Sequence, residues 1–247
     1  MYGACKAPTI HKPLANINWT MKHLALVLLC LVFIFSCKQS YKKYSTSPLQ
    51  LKTKHKTVTY LLDSVLITDQ MYRMELDTIK NKFGNNSNEI KNHWKKINRT
   101  DSSNLVIVER VINTYGWLGP KEIGEKANLA LFLVIQHSNT FTQEKYLPIM
   151  QKAVKVAKAY PADLALLTDR VKLGKKELQV YGSQIGTHPE TGKLYVLPLI
   201  DPENVNERRA KVGLKKIEEY ISFWGLKWDV QEYNKNLPNY IKILKAK

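Results

Sequence analysis

The chain holds little cysteine. Cys5, Cys30 and Cys37 are the only three in 247 residues, and none lies beyond position 37. A body of that kind forms no internal disulfide. It offers no cysteine nucleophile and no thiolate zinc site, so a packed core must carry its stability. Acid is missing from the N-terminal end, where no Asp or Glu precedes Asp63. Long hydrophobic runs are short too. The stretch from Leu24 to Phe35 has twelve apolar residues, where a helix needs about 20 to cross a bilayer. No His-Glu-x-x-His, Gly-x-Ser-x-Gly or phosphate-loop string occurs, which removes the readable metalloprotease, serine-hydrolase and nucleotide motifs. No metal ligand set and no cofactor is expected.

The twelve-residue run suits the apolar region of a secretory signal. Met21, Lys22 and His23 precede it, and it closes in Ile34-Phe35-Ser36-Cys37. That tetrad resembles a bacterial lipobox, with a bulkier residue than usual at Phe35. Cys37 is therefore the expected lipidation site, and two or more acyl chains would make the anchor effectively permanent. Residues 1–20 fit no signal and are expected to lie upstream of the true start. The organisation expected is a signal peptide over 21–36, a flexible tether over 37–57, one globular domain over 58–230 and a basic C-terminal tail over 231–247.

Charge agrees with an envelope address. The formal charge is +17, from 38 basic and 21 acidic residues. Removing Lys6, Lys12 and Lys22 leaves about +14 (17 less 3). The tether carries Lys38, Lys42, Lys43, Lys52, Lys54 and Lys56 among Ser, Thr and Pro48, a composition that cannot bury a core. Each such lysine adds up to about 1 kcal/mol of attraction near an anionic bilayer. The expected partners are the membrane, through lipid and tether, and an envelope glycan, peptide or protein. Nucleic acid is not expected, because no recognition motif accompanies the basic charge. The lysine-rich stretch after Cys37 favours the periplasmic side.

The body reads as mainly α, a compact multi-helix domain with one β-hairpin. Leu61, Val65, Thr68, Tyr72, Leu76, Ile79 and Phe83 are spaced for one buried helical stripe over 58–83. A short polar helix over 86–97 and a second helix from an Asp101 or Ser102 cap to Tyr115 are expected next. A helix over 120–137 is apolar nearly all round between Ala127 and Ile135, as a central buried helix would be. Helices over 141–159 and from Pro161 follow. Leu178, Val180, Tyr181 and Ile185 favour one strand and Leu194 to Leu197 another, around a turn at 187–192. Helices over 202–211 and 215–223 close the domain.

Six segments then form an ordered pattern. They are Asp69-Gln70-Met71-Tyr72-Arg73, Tyr115-Gly116-Trp117, Val134-Ile135-Gln136-His137, Thr168-Asp169-Arg170-Val171, Gln179-Val180-Tyr181-Gly182-Ser183-Gln184, and Asp201-Pro202 through Arg208-Arg209 to Leu214. Together they resemble an uncharacterised bacterial family, a domain of unknown function of envelope and secreted proteins, over about 60–222. The resemblance implies a shared fold and polar site and brings no activity.

Candidate site residues follow from chemistry. His137 titrates near neutrality and can act as acid, base or ligand, although a histidine closing a helix can simply favour its C-terminus. Asp169 could orient that imidazole by a charge-assisted bond. These two are the candidate catalytic pair. Gln136, Arg170, Gln179, Tyr181 and Gln184 are candidate ligand contacts, the strand residues as a row of hydrogen-bonding groups. Arg208 and Arg209 could hold a carboxylate or phosphate or be a plain surface pair. Asp63, Asp69 and Asp169 could supply paired carboxylates. Three functions stay open: a non-enzymatic envelope protein binding a polar ligand, a hydrolase of an envelope polymer using His137 and Asp169, and an envelope scaffold. The first two require His137, Asp169, Gln179 and Tyr181 to share one concave site.

Overall fold

The computed structural model describes residues 55–246. The expected lipobox, the expected signal peptide and most of the expected tether lie outside that range. Among the described residues no helix is long and apolar enough to cross a membrane.

Helix α1, Lys56–Phe83, and helix α2, Asn88–Tyr115, are 28 residues each and pack along one another. Ser87 caps α2 by accepting from the backbone N–H of Ile90 at 3.2 Å, which satisfies one of the orphan donors of the first turn. Gly84 and Gly116, both at positive φ, end the two helices. The buried stripe of α1 is Leu62, Val65, Asp69 and Leu76. Leu61 and Phe83, expected inside, are exposed. Val65 and Leu76 keep their expected places, and the stripe also carries an aspartate into the interior.

α2 corrects the expected break near residue 100. Asp101 and Ser102 cap nothing, because the helix runs through them. Ser102 and Ser103 return their hydroxyls to the carbonyls of Asn98 and Arg99, the local bonding that lets such residues sit mid-helix. Asp101 and Asn104 instead meet Arg73 and Thr68 of α1. A cap signature is thus overridden by pairing between helices.

The expected helix over 120–137 is split. Gly124, at φ +84°, separates the single turn α3, Pro120–Ile123, from α4, Glu125–His137. Nine of the 13 residues of α4 are buried, and the helix touches α1, α2 and α3. It also touches α5, Thr140–Lys155, and α6, Pro161–Gly174. It is the central helix, as its apolar sequence requires. Burying Leu131 or Ile135 there contributes roughly 1.5–3 kcal/mol each.

After α6 the chain forms a hairpin of β1, Ile185–Thr187, and β2, Leu194–Val196, with Ile185 opposite Val196 and Thr187 opposite Leu194. The strand expected from residue 178 is shorter than the pattern suggested. Residues 178–184 are irregular, touching a strand geometry only where Gln179 bridges Leu199. A 3-10 turn over Pro202–Asn204 leads into α7, Val205–Lys211, and α8, Ile217–Ile221, follows. The last helix, α9, spans Val230–Ala246. The stretch expected to be a basic C-terminal tail is helical there, and it buries Tyr233 and Leu244. Val196, Leu199, Val205, Ile217, Ile221 and Tyr233 form a core beneath the hairpin. A lone hairpin is marginal in water, and this packing is what supports it.

Candidate functional site

Two polar networks gather the candidate residues, and they do different work. The first surrounds the irregular segment 178–184. Asp169 of α6 is fully buried. It accepts from the backbone N–H groups of Val180 at 2.7 Å, Tyr181 at 3.0 Å and Ser183 at 2.9 Å. Gly182, at φ +67°, makes the turn that aims those donors at one carboxylate. Burial lifts the Asp169 carboxyl above its ordinary range, and the three backbone bonds oppose that lift.

The same segment is gripped from its carbonyl side. Arg208 donates to the carbonyls of Val180, Ile200 and Asp201 and pairs with the Asp201 carboxylate at 2.9 Å. Arg209, almost wholly buried, donates to the carbonyls of Tyr181 and Lys215 and stacks over Tyr220. The Gln179 amide donates to the carbonyls of Gln184 and Leu197 and accepts from the N–H of Gln184. The Gln184 side chain donates to the Ser183 hydroxyl. Asp169, Gln179, Gln184, Arg208 and Arg209 therefore hold a backbone loop in place. Irregular chain in an interior needs such partners, because its amides have no ladder. Tyr181 keeps a half-buried ring with both backbone groups engaged.

The second network lies where α4 ends against α1. His137 does not reach Asp169. Its Nδ1 donates to Asp69, 3.1 Å from each carboxylate oxygen, and this replaces the expected pairing. Asp69 also accepts from the Gln70 amide at 2.7 Å and lies 3.4 Å from Arg73. Arg73 in turn forms a two-pronged pair with Asp101, at 2.9 and 2.7 Å, the fork geometry that guanidinium and carboxylate share. The chain of groups runs from His137 through Asp69 and Arg73 to Asp101.

Electrostatics set the protonation states. Burial by itself would raise the Asp69 carboxyl. The bond and charge of His137, the charge of Arg73 and the bond from Gln70 outweigh it and hold the carboxyl below its ordinary value. His137 is also held low. Burial is the main cause, assisted by the charges of Arg73 and Arg170 and opposed by Asp69. The helix C-terminus would favour imidazolium by up to about 2 kcal/mol, and burial wins. The pair is thus an ionised carboxylate and a neutral imidazole. A carboxylate only accepts, so Nδ1 bears the proton and Nε2 keeps its lone pair. No partner for Nε2 occurs among the described residues.

Two other candidate residues have unmet capacity. Arg170 is near enough for its charge to act on His137. Its Nε is buried without a partner, and no acid among the described residues pairs with it. Both amide atoms of Gln136 are buried and unpartnered. Such vacancies are uncommon in a folded interior and call for a reason. The four residues expected to share a concave site do not, since Asp169 and Gln179 are sealed in the loop network. A binding or catalytic reading built on that foursome fails, and either one has to stand on the His137 end of α4 with Asp69 instead. Among the described residues no group of three His, Cys, Asp or Glu could hold a metal ion.

Sequence reasoning missed Asp69 as the partner of His137, along with Arg73 and Asp101. Its one signal was the Asp69-to-Arg73 segment beside the apolar stripe of α1. It also missed Asp163, in the first turn of α6. Burial pushes this carboxyl up to about 7. The folded protein then keeps a proton that the unfolded chain has lost between about pH 4 and 7. The cost of burial is accordingly small near pH 4 and complete above 7. Asp163→Asn should raise stability by about 1–2 kcal/mol at pH 8, a value reduced by remaining solvent contact and the helix N-terminus. The gain should shrink towards pH 4.5, as denaturant melts at the two pH values would register.

The chain belongs to the DUF6624 family, a family of unknown function, whose model matches residues 62–230. No curated protein and no solved structure matches the chain. The matched region begins in α1 and ends at the start of α9, so it contains both polar networks.

Proposed function

We propose that this is a lipid-anchored protein of the bacterial cell envelope, facing the periplasm, that binds a polar ligand bearing an anionic group at the His137 end of α4. The anchor rests on Ile34-Phe35-Ser36-Cys37 and the apolar run before it. The ligand reading rests on one observation, the buried Arg170 Nε that has no partner among the described residues, on a guanidinium whose charge acts on the neutral His137 imidazole. A partly buried cation without a counter-ion is costly, and a carboxylate or phosphate would satisfy it through two parallel bonds. Nε2 of His137 supplies further hydrogen-bonding capacity for the rest of such a ligand.

Thermal unfolding of the full-length chain with and without succinate or inorganic phosphate tests the site. Stabilisation should approach about 2.7 kcal/mol at a hundred times Kd, and Arg170→Ala should lose it. An equal gain in wild type and variant sinks the reading. For the anchor, labelled palmitate should enter the wild type and be absent from Cys37→Ala.

A second reading is a hydrolase of an envelope polymer, favoured by the Asp69–His137 geometry. A carboxylate that fixes Nδ1–H leaves Nε2 free to take a proton, as a general base does. Turnover of cell-wall fragments by wild type, lost in His137→Ala, would move the assignment from binder to enzyme.

A further inference from the structure

An aromatic groove lies away from the His137 site, between β2 and α9. Its walls include Tyr195, Trp228, Tyr233 and Tyr240. Tyr195 and Tyr240 pack with ring centres 4.4 Å apart, and Trp228 and Tyr233 at 4.9 Å. The Tyr233 hydroxyl donates to the Leu197 carbonyl at 2.9 Å, which pins that ring. Trp228 and Tyr240 are only half-buried, so part of their ring surface is open. The Tyr195 hydroxyl is buried and has no partner.

The rim carries Lys227, Asp229, Glu232 and Asn236. Asp229 accepts from the backbone N–H groups of Gln231 and Glu232 through Oδ1 alone, leaving its second oxygen available. One cation, two carboxylates and an amide thus crowd one opening. A cationic ligand would meet Lys227, and an anionic one would meet Asp229 and Glu232. A neutral molecule with many hydroxyls can donate to the carboxylates and accept from the lysine and amide at once. The cavity is about 170 Å³. At roughly 10–15 Å³ for each water-sized occupant, that is room for about a dozen non-hydrogen atoms.

We propose that this groove is a second binding site, for a single neutral sugar ring. The aromatic surfaces receive the C–H face of the ring, as large flat apolar groups do. The rim groups bond its hydroxyls and fix its orientation. The rings are already packed on one another, so little side-chain freedom is lost on binding. The site is independent of Arg170 and His137.

Saturation-transfer NMR and titration with glucose and N-acetylglucosamine test it, on the full-length chain in a detergent without a sugar headgroup. Ring C–H protons of at least one sugar should receive saturation. Trp228→Ala should weaken binding about tenfold or more, and Trp228→Tyr should restore most of it. Asn236→Ala, a half-exposed position, should weaken binding several-fold with an unchanged melting temperature, which separates recognition from folding. Arg170→Ala should leave sugar binding intact. The proposal is overturned if neither sugar receives saturation, if Trp228→Ala and Asn236→Ala both bind like wild type, or if tetramethylammonium occupies the groove in place of sugar.

Discussion

Asp169→Asn is expected to destabilise the protein by about 3–5 kcal/mol, the range for breaking a buried, fully engaged charged group. The native carboxylate faces the N–H groups of Val180, Tyr181 and Ser183. An amide keeps one acceptor oxygen and turns an NH2 group toward the remaining donors. At least one backbone N–H is then buried unsatisfied. Arg208 and Arg209 grip the carbonyls of the same segment, so the damage should spread to α7. Denaturant unfolding measures the loss. Hydrogen exchange should show residues 180–184 losing protection before the α4 core. A loss under about 1 kcal/mol would mean that the segment is held by its two arginines without the aspartate.

Asp69→Ala is the second large effect, about 3 kcal/mol of stability lost. The Asp69 side chain is fully buried, and three groups turn to it: His137, Gln70 and Arg73. Arg73 keeps Asp101, which limits the cost. His137 keeps nothing at Nδ1, and its ring should no longer be fixed in one tautomer. Nitrogen NMR of the imidazole offers a direct readout. The wild type should show a protonated Nδ1 and a bare Nε2 at neutral pH, and the variant should show a mixture. His137 should also protonate less readily in the variant, because the carboxylate that raised its affinity for a proton is gone. An unaltered tautomer would remove the basis of both readings of the His137 site, since each depends on Asp69 to present Nε2.

The helices were legible where their signal is local. Apolar residues at intervals of three and four mark α1 and α6, the near-continuous apolar run from Ala127 to Ile135 marks α4, and Gly84 and Gly116 mark two ends. That content placed the chain among mainly helical folds with one hairpin, and the ordered polar segments pointed to a domain of unknown function. What local pattern could not supply was the partner of each polar group. Asp101 read as a cap because its partner Arg73 lies 28 residues away. Segment 178–184 read as strand because Leu178, Val180 and Tyr181 favour extended backbone. Only a buried aspartate from α6 and two arginines from α7 make its irregular backbone affordable.

The candidate site divides in the same way. His137 and Asp169 stood out as a histidine and an acid beside apolar helices, and nothing in their own neighbourhoods could say whether they meet. Asp69, 68 residues before His137, has the same chemistry as Asp169. The choice between them is made by the packing of α4 against α1. By itself, the sequence determined the helical period, the absence of cysteine beyond position 37, the basic charge and a tetrad ending at Cys37 that resembles a lipobox, all readable without knowing which distant residues meet. Tertiary structure decided which carboxylate orients His137, which arginines hold backbone and which one buries an Nε with no partner among the described residues. A hydrogen bond or ion pair acts over a few ångströms in space, and separation along the chain does not encode that distance until the helices have packed.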